Sequence, residues 1–93
     1  MTGDAAAISD LIDELNEIGA DPSLFVEGKA PSSQAKDYLN YSYSLTRKPS
    51  VSGSSATLPI LIYNEVVGEE VGTKDWTFAK VGDTWKIESA PLR

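Results

Sequence analysis

Three glutamates around one glycine are candidate ligands for a metal ion. Glu65, Glu69 and Glu70 flank Gly68, and carboxylate oxygens are the ligands that Ca²⁺ prefers. A calcium loop, however, supplies its ligands at closely alternating positions, and that alternation is missing here. The spacing therefore favours a solvated turn, and we expect no bound metal ion.

The two tryptophans offer a different chemistry, the stacking of a sugar or a base on an aromatic face. Trp76 and Trp85 fall in segments that we predict to be neighbouring strands. Tryptophan is nevertheless highly buried on average in folded proteins. We therefore expect both indoles to pack in the core beneath a helix.

Two residue types that carry much of protein chemistry are missing, since the chain has no cysteine and no histidine. This excludes zinc, blue-copper and haem sites of the usual kinds. It also excludes nucleophilic catalysis by a cysteine or by a Ser–His pair. We expect no cofactor, and the lack of cysteine is compatible with the cytosol or the exterior.

Acidic residues are concentrated at the N-terminus of a chain whose formal net charge is −6. Six of the 14 acids and no basic residue lie in residues 1–21, and the other eight acids are matched by the eight Lys and Arg. A solvated helix face accounts for such a charge run. Without a basic patch, we expect neither nucleic acid nor an anionic membrane surface as a partner.

The apolar runs are too short for a membrane span. The longest, Leu58 to Tyr63, has the length of a strand. The N-terminus lacks a basic region followed by an apolar one, which argues against a signal peptide. We expect a soluble protein, either cytoplasmic or a processed exported domain.

The N-terminal segment predicts an amphipathic helix over residues 4–19. Its apolar residues recur at spacings of three and four, which places them on one stripe: Ile8, Leu11, Ile12, Leu15 and Ile18. Asp4 can cap the start, and Gly19 is placed for a left-handed C-terminal residue. A length of 93 residues leaves room for one core only, so we expect a single domain, residues 1–93.

Residues 20–37 predict two short helical turns within a structured connection. Asp21-Pro22-Ser23 begins the first turn, which Gly28 would end. Pro31 begins the second, which would run to about Asp37.

From Tyr38 onward, the apolar period changes to two, which predicts an antiparallel sheet of roughly four strands. After the first strand, the others span about residues 55–64, 69–80 and 84–91. The predicted buried faces hold Leu39, Tyr41, Tyr43, Leu45, Leu58, Ile60, Ile62, Trp76, Phe78, Trp85 and Ile87. Short turns make sequential strands neighbours in a meander. Pro59 cannot donate to a ladder, so it should lie at a bulge or a free edge.

Three motifs in the C-terminal half carry a resemblance to a known group of proteins. They are Gly53-x-x-Ala56-Thr57-Leu58-Pro59-Ile60, Trp76-Thr77-Phe78-Ala79-Lys80 and Gly82-Asp83-Thr84-Trp85-Lys86-Ile87-x-x-Ala90-Pro91-Leu92. They resemble small bacterial members of the nuclear-transport-factor-2-like superfamily, within the cystatin-like folds. The resemblance implies an α+β domain with its N-terminal helix packed on the meander. It leaves function open, because this fold hosts enzymes and binding proteins alike. Typical members are longer, with further helices that close a conical cavity.

The acid–base enzymes of that superfamily use an Asp or a Tyr inside the cavity, and the equivalents here would be Asp75, Tyr41, Tyr43 and Tyr63. Strand alternation sends Asp75 to the face away from the helix, where no dry pocket surrounds it. Tyr41 and Tyr43 should fill the core with their hydroxyls at its rim. We expect no catalytic residue, with a small cavity enzyme as the alternative.

One predicted turn resembles a motif of protease inhibitors. Asn64-Glu65-Val66-Val67-Gly68 is similar to the Gln-x-Val-x-Gly hairpin with which cystatins block papain-like proteases. Here Asn64 replaces the Gln, and the hairpin follows the second strand after the helix instead of the first. Protease inhibition is therefore a further, weaker alternative.

The second strand has apolar residues on both faces. Leu61 and Tyr63 lie opposite its core residues, and exposed apolar patches mark interaction sites. A single helix covers only one side of a sheet, and homo-oligomers most often close with two-fold symmetry. We predict a non-catalytic binding or protein-interaction module that homodimerises through Leu61 and Tyr63. We expect its further ligand to be a protein or a small molecule.

Overall fold

An N-terminal helix packed on an antiparallel sheet forms the fold, as the sequence predicts. The computed structural model describes residues 3–19, 21–30 and 35–91. The helix is α1 (Gly3–Ile18), and the strands are β1 (Tyr41–Leu45), β2 (Ser50–Ser52), β3 (Ser55–Asn64), β4 (Glu69–Val81) and β5 (Thr84–Ser89). Two short 3₁₀ helices, Pro22–Leu24 and Ala35–Asn40, connect α1 to the sheet. Within the described residues, no helix has both the length and the apolarity that a membrane crossing needs.

Helix α1 buries most of its predicted stripe, although Ile18 at the end of that stripe is exposed. The helix ends at Ile18, and the next residue, Gly19, has a φ of 78°, which lies in the left-handed region. A Cβ on Gly19 would also lie 2.8 Å from side-chain atoms of Leu39. Asp4 lies inside the first turn instead of capping it, and its carboxylate accepts a hydrogen bond from the Trp85 indole at 2.9 Å.

The turn predicted at Asp21 is present. The Asp21 carboxylate accepts a hydrogen bond from the Ser23 amide at 2.9 Å, which caps the 3₁₀ helix Pro22–Leu24. This helix ends well before Gly28, because the next residue, Phe25, pairs in parallel with Ile87 of β5. Pro31, where the second turn was predicted to begin, lies outside the described residues.

The first strand begins later than the period of two predicts. Tyr38 and Leu39 belong to the 3₁₀ helix Ala35–Asn40, and β1 starts at Tyr41. Leu39 is 59% exposed, whereas Tyr38 takes the buried position. The hydroxyl of Tyr38 donates to the Ala90 carbonyl at 2.5 Å. This contact between residues far apart in sequence favours Tyr38 as the inward residue.

The sheet order is β1-β3-β4-β5, which confirms a meander of four sequential strands, and β2 adds a fifth that pairs with β3 beyond the end of β1. Pro59 lies where β1 has ended and β2 has not begun. The Pro59 carbonyl points into this gap, where it accepts a hydrogen bond from the Thr46 hydroxyl at 2.9 Å. The N and C=O of a strand residue point to the same side, so the missing N–H faces a free stretch of edge, as predicted.

The core lies between α1 and the inner face of the sheet. Its fully buried strand residues are Leu58, Ile60, Ile62, Trp76, Phe78 and Ile87, with Trp85 nearly so. The last strand ends at Ser89, two residues before the predicted end. Trp76 donates its indole N–H to the Pro91 carbonyl at 3.0 Å, so the tail after β5 is held by side chains of the core instead of by a neighbouring strand.

Candidate functional site

Leu61 and Tyr63 lie on the outer face of the sheet, which we define as the face opposite α1. Strand alternation in β3 places both residues opposite the buried Ile60 and Ile62. Leu61 is half-buried, between Ser44 on β1 and Thr73 on β4. Tyr63 is 38% exposed. The structure thus leaves apolar surface of both side chains available outside the core.

The β3–β4 turn, residues 65–68, forms a hairpin tip whose backbone is held by Asn64. The Asn64 amide oxygen accepts hydrogen bonds from the backbone N–H of Val66 at 2.9 Å and of Val67 at 3.3 Å. The Gly68 N–H donates to the Asn64 carbonyl at 2.9 Å. This Asx-type arrangement fixes a tight turn. The polar side chain at the start of the turn was visible in the sequence, but its capping role was not.

The hairpin tip presents its apolar side chains to solvent. Val66 is 69% exposed and Val67 is 62% exposed. A bulge adjoins the tip, where Tyr63 pairs with Glu70 and Ile62 pairs with Gly72. Val71 is the extra residue of this bulge and is 39% exposed. Gly72 permits the bulge, because its φ of 125° is a conformation that side chains disfavour.

Charged residues lie at both ends of the outer face of the sheet. Glu65, Glu69 and Glu70 are exposed around the hairpin tip, and Arg47 and Lys48 are exposed in the loop between β1 and β2. In the described ranges, none of these five side chains forms a salt bridge or a hydrogen bond. The same ranges contain no group of three or more acidic residues that could hold a metal ion.

The tyrosines considered for acid–base chemistry have different environments. Tyr43 is almost fully buried, and its hydroxyl donates to the Tyr38 carbonyl at 2.7 Å. The expectation of a hydroxyl at the rim of the core is therefore wrong for Tyr43, because a backbone carbonyl inside the core accepts its proton. Burial, with Tyr38 and Tyr41 close by, raises the pKa of Tyr43 above its ordinary value. Tyr41 is half-buried against the core.

Asp75 and the tryptophans complete the predicted candidates. Asp75 is exposed on the outer face, opposite Pro59 of β3. Trp76 and Trp85 are buried, so neither offers a free ring face for stacking a sugar or a base. Both indole N–H groups donate hydrogen bonds within the protein, to the Pro91 carbonyl and to the Asp4 carboxylate. The two indoles therefore contribute to stability.

Asn16 is a residue that the sequence analysis missed. It lies on the exposed side of α1, and its amide meets the free edge of β1. Its Nδ2 donates to the Tyr43 carbonyl at 2.9 Å, and its Oδ1 accepts from the Tyr43 N–H at 2.8 Å. These two bonds occupy the backbone groups that an added strand would use. An asparagine among helical acids gives no sequence signal for such a contact.

Two open grooves flank α1 and β5. A groove of about 390 Å³ lies between α1 and the β4–β5 turn, with Asp10, Glu14 and Asp83 in its lining. Another of about 440 Å³ is more apolar and includes Phe25 and Val81. Comparison of the chain with protein-family models, curated proteins and solved structures finds no match. Any functional proposal therefore rests on the residues of this chain alone.

Proposed function

We propose that this chain is a non-catalytic protein-interaction module that homodimerises through the outer face of its sheet. The observation that carries the proposal is the concentration of apolar surface at one end of that face. Tyr63 is exposed on that face, and Val66, Val67 and Val71 are exposed in and beside the hairpin tip at its end. Contiguous exposed apolar surface on a small domain marks an interaction site.

The distribution of side chains on the outer face supports a self-association site. Away from the apolar end, the outer face is mainly polar and can remain in contact with water. Its residues there are Ser42, Ser44, Thr57, Thr73, Asp75 and Thr77. Helix α1 covers the opposite face, so it cannot also cover Leu61 and Tyr63. A second copy offers the same exposed apolar side chains, and an isologous contact would bury those of both copies at once.

The positions of the acid–base candidates support a non-catalytic role. The Tyr43 hydroxyl is committed to a backbone carbonyl inside the core. Asp75 stands in solvent on the outer face, whereas a general base must reach its substrate in a site that excludes bulk water. We assign these side chains to packing and to surface solvation.

The proposal is tested by the oligomeric state of the wild type and of two variants. Sedimentation equilibrium at micromolar concentration should report a wild-type dimer. Leu61→Glu and Tyr63→Glu should each shift the protein to monomer, because both place like charges together near a two-fold axis. Tyr63→Glu changes an exposed residue, so its fold should survive even if Leu61→Glu perturbs β3.

The matched control is Thr84→Glu, which adds the same charge at an exposed position on β5. It should leave the dimer intact, and circular dichroism should show that each variant is folded. A strictly monomeric wild type would contradict the proposal. So would a folded Tyr63→Glu variant that dimerises as well as the wild type.

A further inference from the structure

The outer face has opposite charges at its two ends. Glu65, Glu69 and Glu70 surround the hairpin tip, and Arg47 and Lys48 occupy the loop of residues 46–49, which we term the basic loop. Arg47 also lines a groove of about 360 Å³, together with Thr57 and Asp75 of the outer face. Because no side chain of the same copy pairs with any of these five charges in the described ranges, they are free to meet a partner.

The strand register locates the two ends relative to the apolar patch. Leu45 pairs with Ile60, and the Thr46 hydroxyl reaches the Pro59 carbonyl. Continuing this register puts the basic loop beside residue 58 of β3. The hairpin tip is centred near residue 66, so the midpoint along β3 falls at Ile62, between the outward residues Leu61 and Tyr63.

We infer that a second copy of the chain binds this face so that the hairpin tip of each copy docks on the basic loop of the other. This inference rests on the proposed homodimer. A two-fold axis near Ile62, parallel to the plane of the sheet and perpendicular to β3, exchanges the two ends of the face. Each acidic tip then lies over a basic loop, and each contact occurs twice. Leu61 of each copy then lies against Tyr63 of the other, close to the axis.

The geometry excludes the same contact within one copy. Eight residues of strand separate the tip from the basic loop, which corresponds to a distance of roughly 27 Å at the usual rise per residue. This separation fits within the 37 Å longest dimension of the domain. The opposite charges can therefore meet only between copies. Since they are exposed at the rim of the contact, added salt should weaken the dimer.

Charge reversal in matched pairs tests the inference. A tip variant, Glu65→Lys with Glu70→Lys, has two positive ends, and a loop variant, Arg47→Glu with Lys48→Glu, has two negative ends. Each alone should dimerise roughly tenfold more weakly than the wild type, because like charges then face each other. An equimolar mixture should recover dimer as a heterodimer, since each contact then joins a positive end to a negative one. All four positions are exposed, so folding should be retained.

A disulfide gives a second, independent measurement in this cysteine-free chain. In a variant with Val67→Cys and Lys48→Cys, the two cysteines of one copy are much farther apart than the ~7 Å Cα separation that a disulfide can bridge. Oxidation should therefore link two copies into a covalent dimer. The control variant carries Val67→Cys with Thr84→Cys and should cross-link much less.

The possible outcomes distinguish the docking of tip on loop from the homodimer on which it rests. A wild-type dimer that resists both charge reversals, or a mixture that recovers no dimer, overturns the docking of tip on loop and leaves the homodimer standing. Cross-linking no greater than that of the Thr84 control has the same meaning. A wild type that stays monomeric at all concentrations overturns both.

Discussion

The two faces of the sheet show how one strand can serve the fold and the function separately. In β3, Ile60 and Ile62 are fully buried in the core, whereas Leu61 and Tyr63, one residue away, retain contact with solvent. The inner face is filled by large apolar groups and the outer face is mostly polar. Burial therefore fixes the register of β3, because a slip of one residue would exchange the two sets.

The inner face is also where polar groups find partners inside the protein. Tyr38, Tyr43 and Trp76 each donate a hydrogen bond to a backbone carbonyl. On the outer face, the charged side chains near the tip and in the basic loop have no partner within the described residues. A change on the inner face should therefore alter stability, and a change on the outer face should alter association.

The largest effect that separates the two faces is expected for Trp85→Ala. Trp85 is buried and its indole donates to Asp4, so the variant loses both packing and a hydrogen bond. We expect the free energy of unfolding to fall by about 3–5 kcal/mol, enough to unfold much of so small a domain. Glu88→Ala, on the same strand but exposed on the outer face, should change it by about 0.5 kcal/mol or less.

Urea denaturation followed by circular dichroism measures both variants. A Trp85→Ala protein as stable as Glu88→Ala would mean that the faces of β5 are assigned the wrong way round.

The regular elements could be predicted because their signals are local. The stripe of α1 and the alternation in β3, β4 and β5 are carried by residues within a few positions of one another. Strand β2 lacks such a signal, since Ser50 and Ser52 flank a single apolar residue. It forms by pairing with Thr57 and Ser55 of β3.

The misplaced first strand and the overlooked Asn16 have the same physical origin. Tyr38 reaches Ala90 across 52 residues, and Asn16 reaches Tyr43 across 27. Neither contact leaves a periodic pattern. Of the candidate site, Leu61 and Tyr63 were predictable from the double-sided apolarity of β3. The capping of the tip by Asn64 and the bulge at Val71 depend on backbone geometry that composition alone does not specify.

An intermediate effect is expected at the free edge of β1, where the two faces meet. Asn16→Ala removes two hydrogen bonds to the backbone of Tyr43. We expect a loss of about 1–2 kcal/mol in the free energy of unfolding, because each bond contributes roughly 1 kcal/mol net. Glu17→Ala is the control, since Glu17 is the exposed neighbour of Asn16 on α1.

Amide hydrogen exchange gives a local measurement of the same contact. The Tyr43 N–H should exchange faster in Asn16→Ala than in Glu17→Ala, even after the change in global stability is subtracted. Equal exchange in the two variants would show that Asn16 does not protect this edge.

The smallest expected effect concerns the Asp4 carboxylate, which lies at the edge of the core. The Asp4 carboxylate accepts hydrogen bonds from Trp85 and, at 3.3 Å, from Lys80. These contacts lower its pKa below the ordinary 3.8. A carboxyl whose pKa is lower in the folded state stabilises the fold above pH 3.8, and this stabilisation is lost as the pH falls through the folded value.

Asp4→Asn should therefore have a lower Tm than the wild type near pH 6, and the gap should narrow as the pH falls below about 3.8. Asparagine keeps an oxygen that can accept from the Trp85 indole, so the change isolates the charge from the packing. Asp21 also has a lowered pKa, because the Ser23 amide donates to it, but it is present in both proteins and its contribution cancels in the difference. Thermal unfolding at a series of pH values measures the gap, which exposure of the Asp4–Lys80 pair should keep small. A gap that stays constant down to about pH 2 would mean that the Asp4 charge contributes nothing to the stability of the folded state.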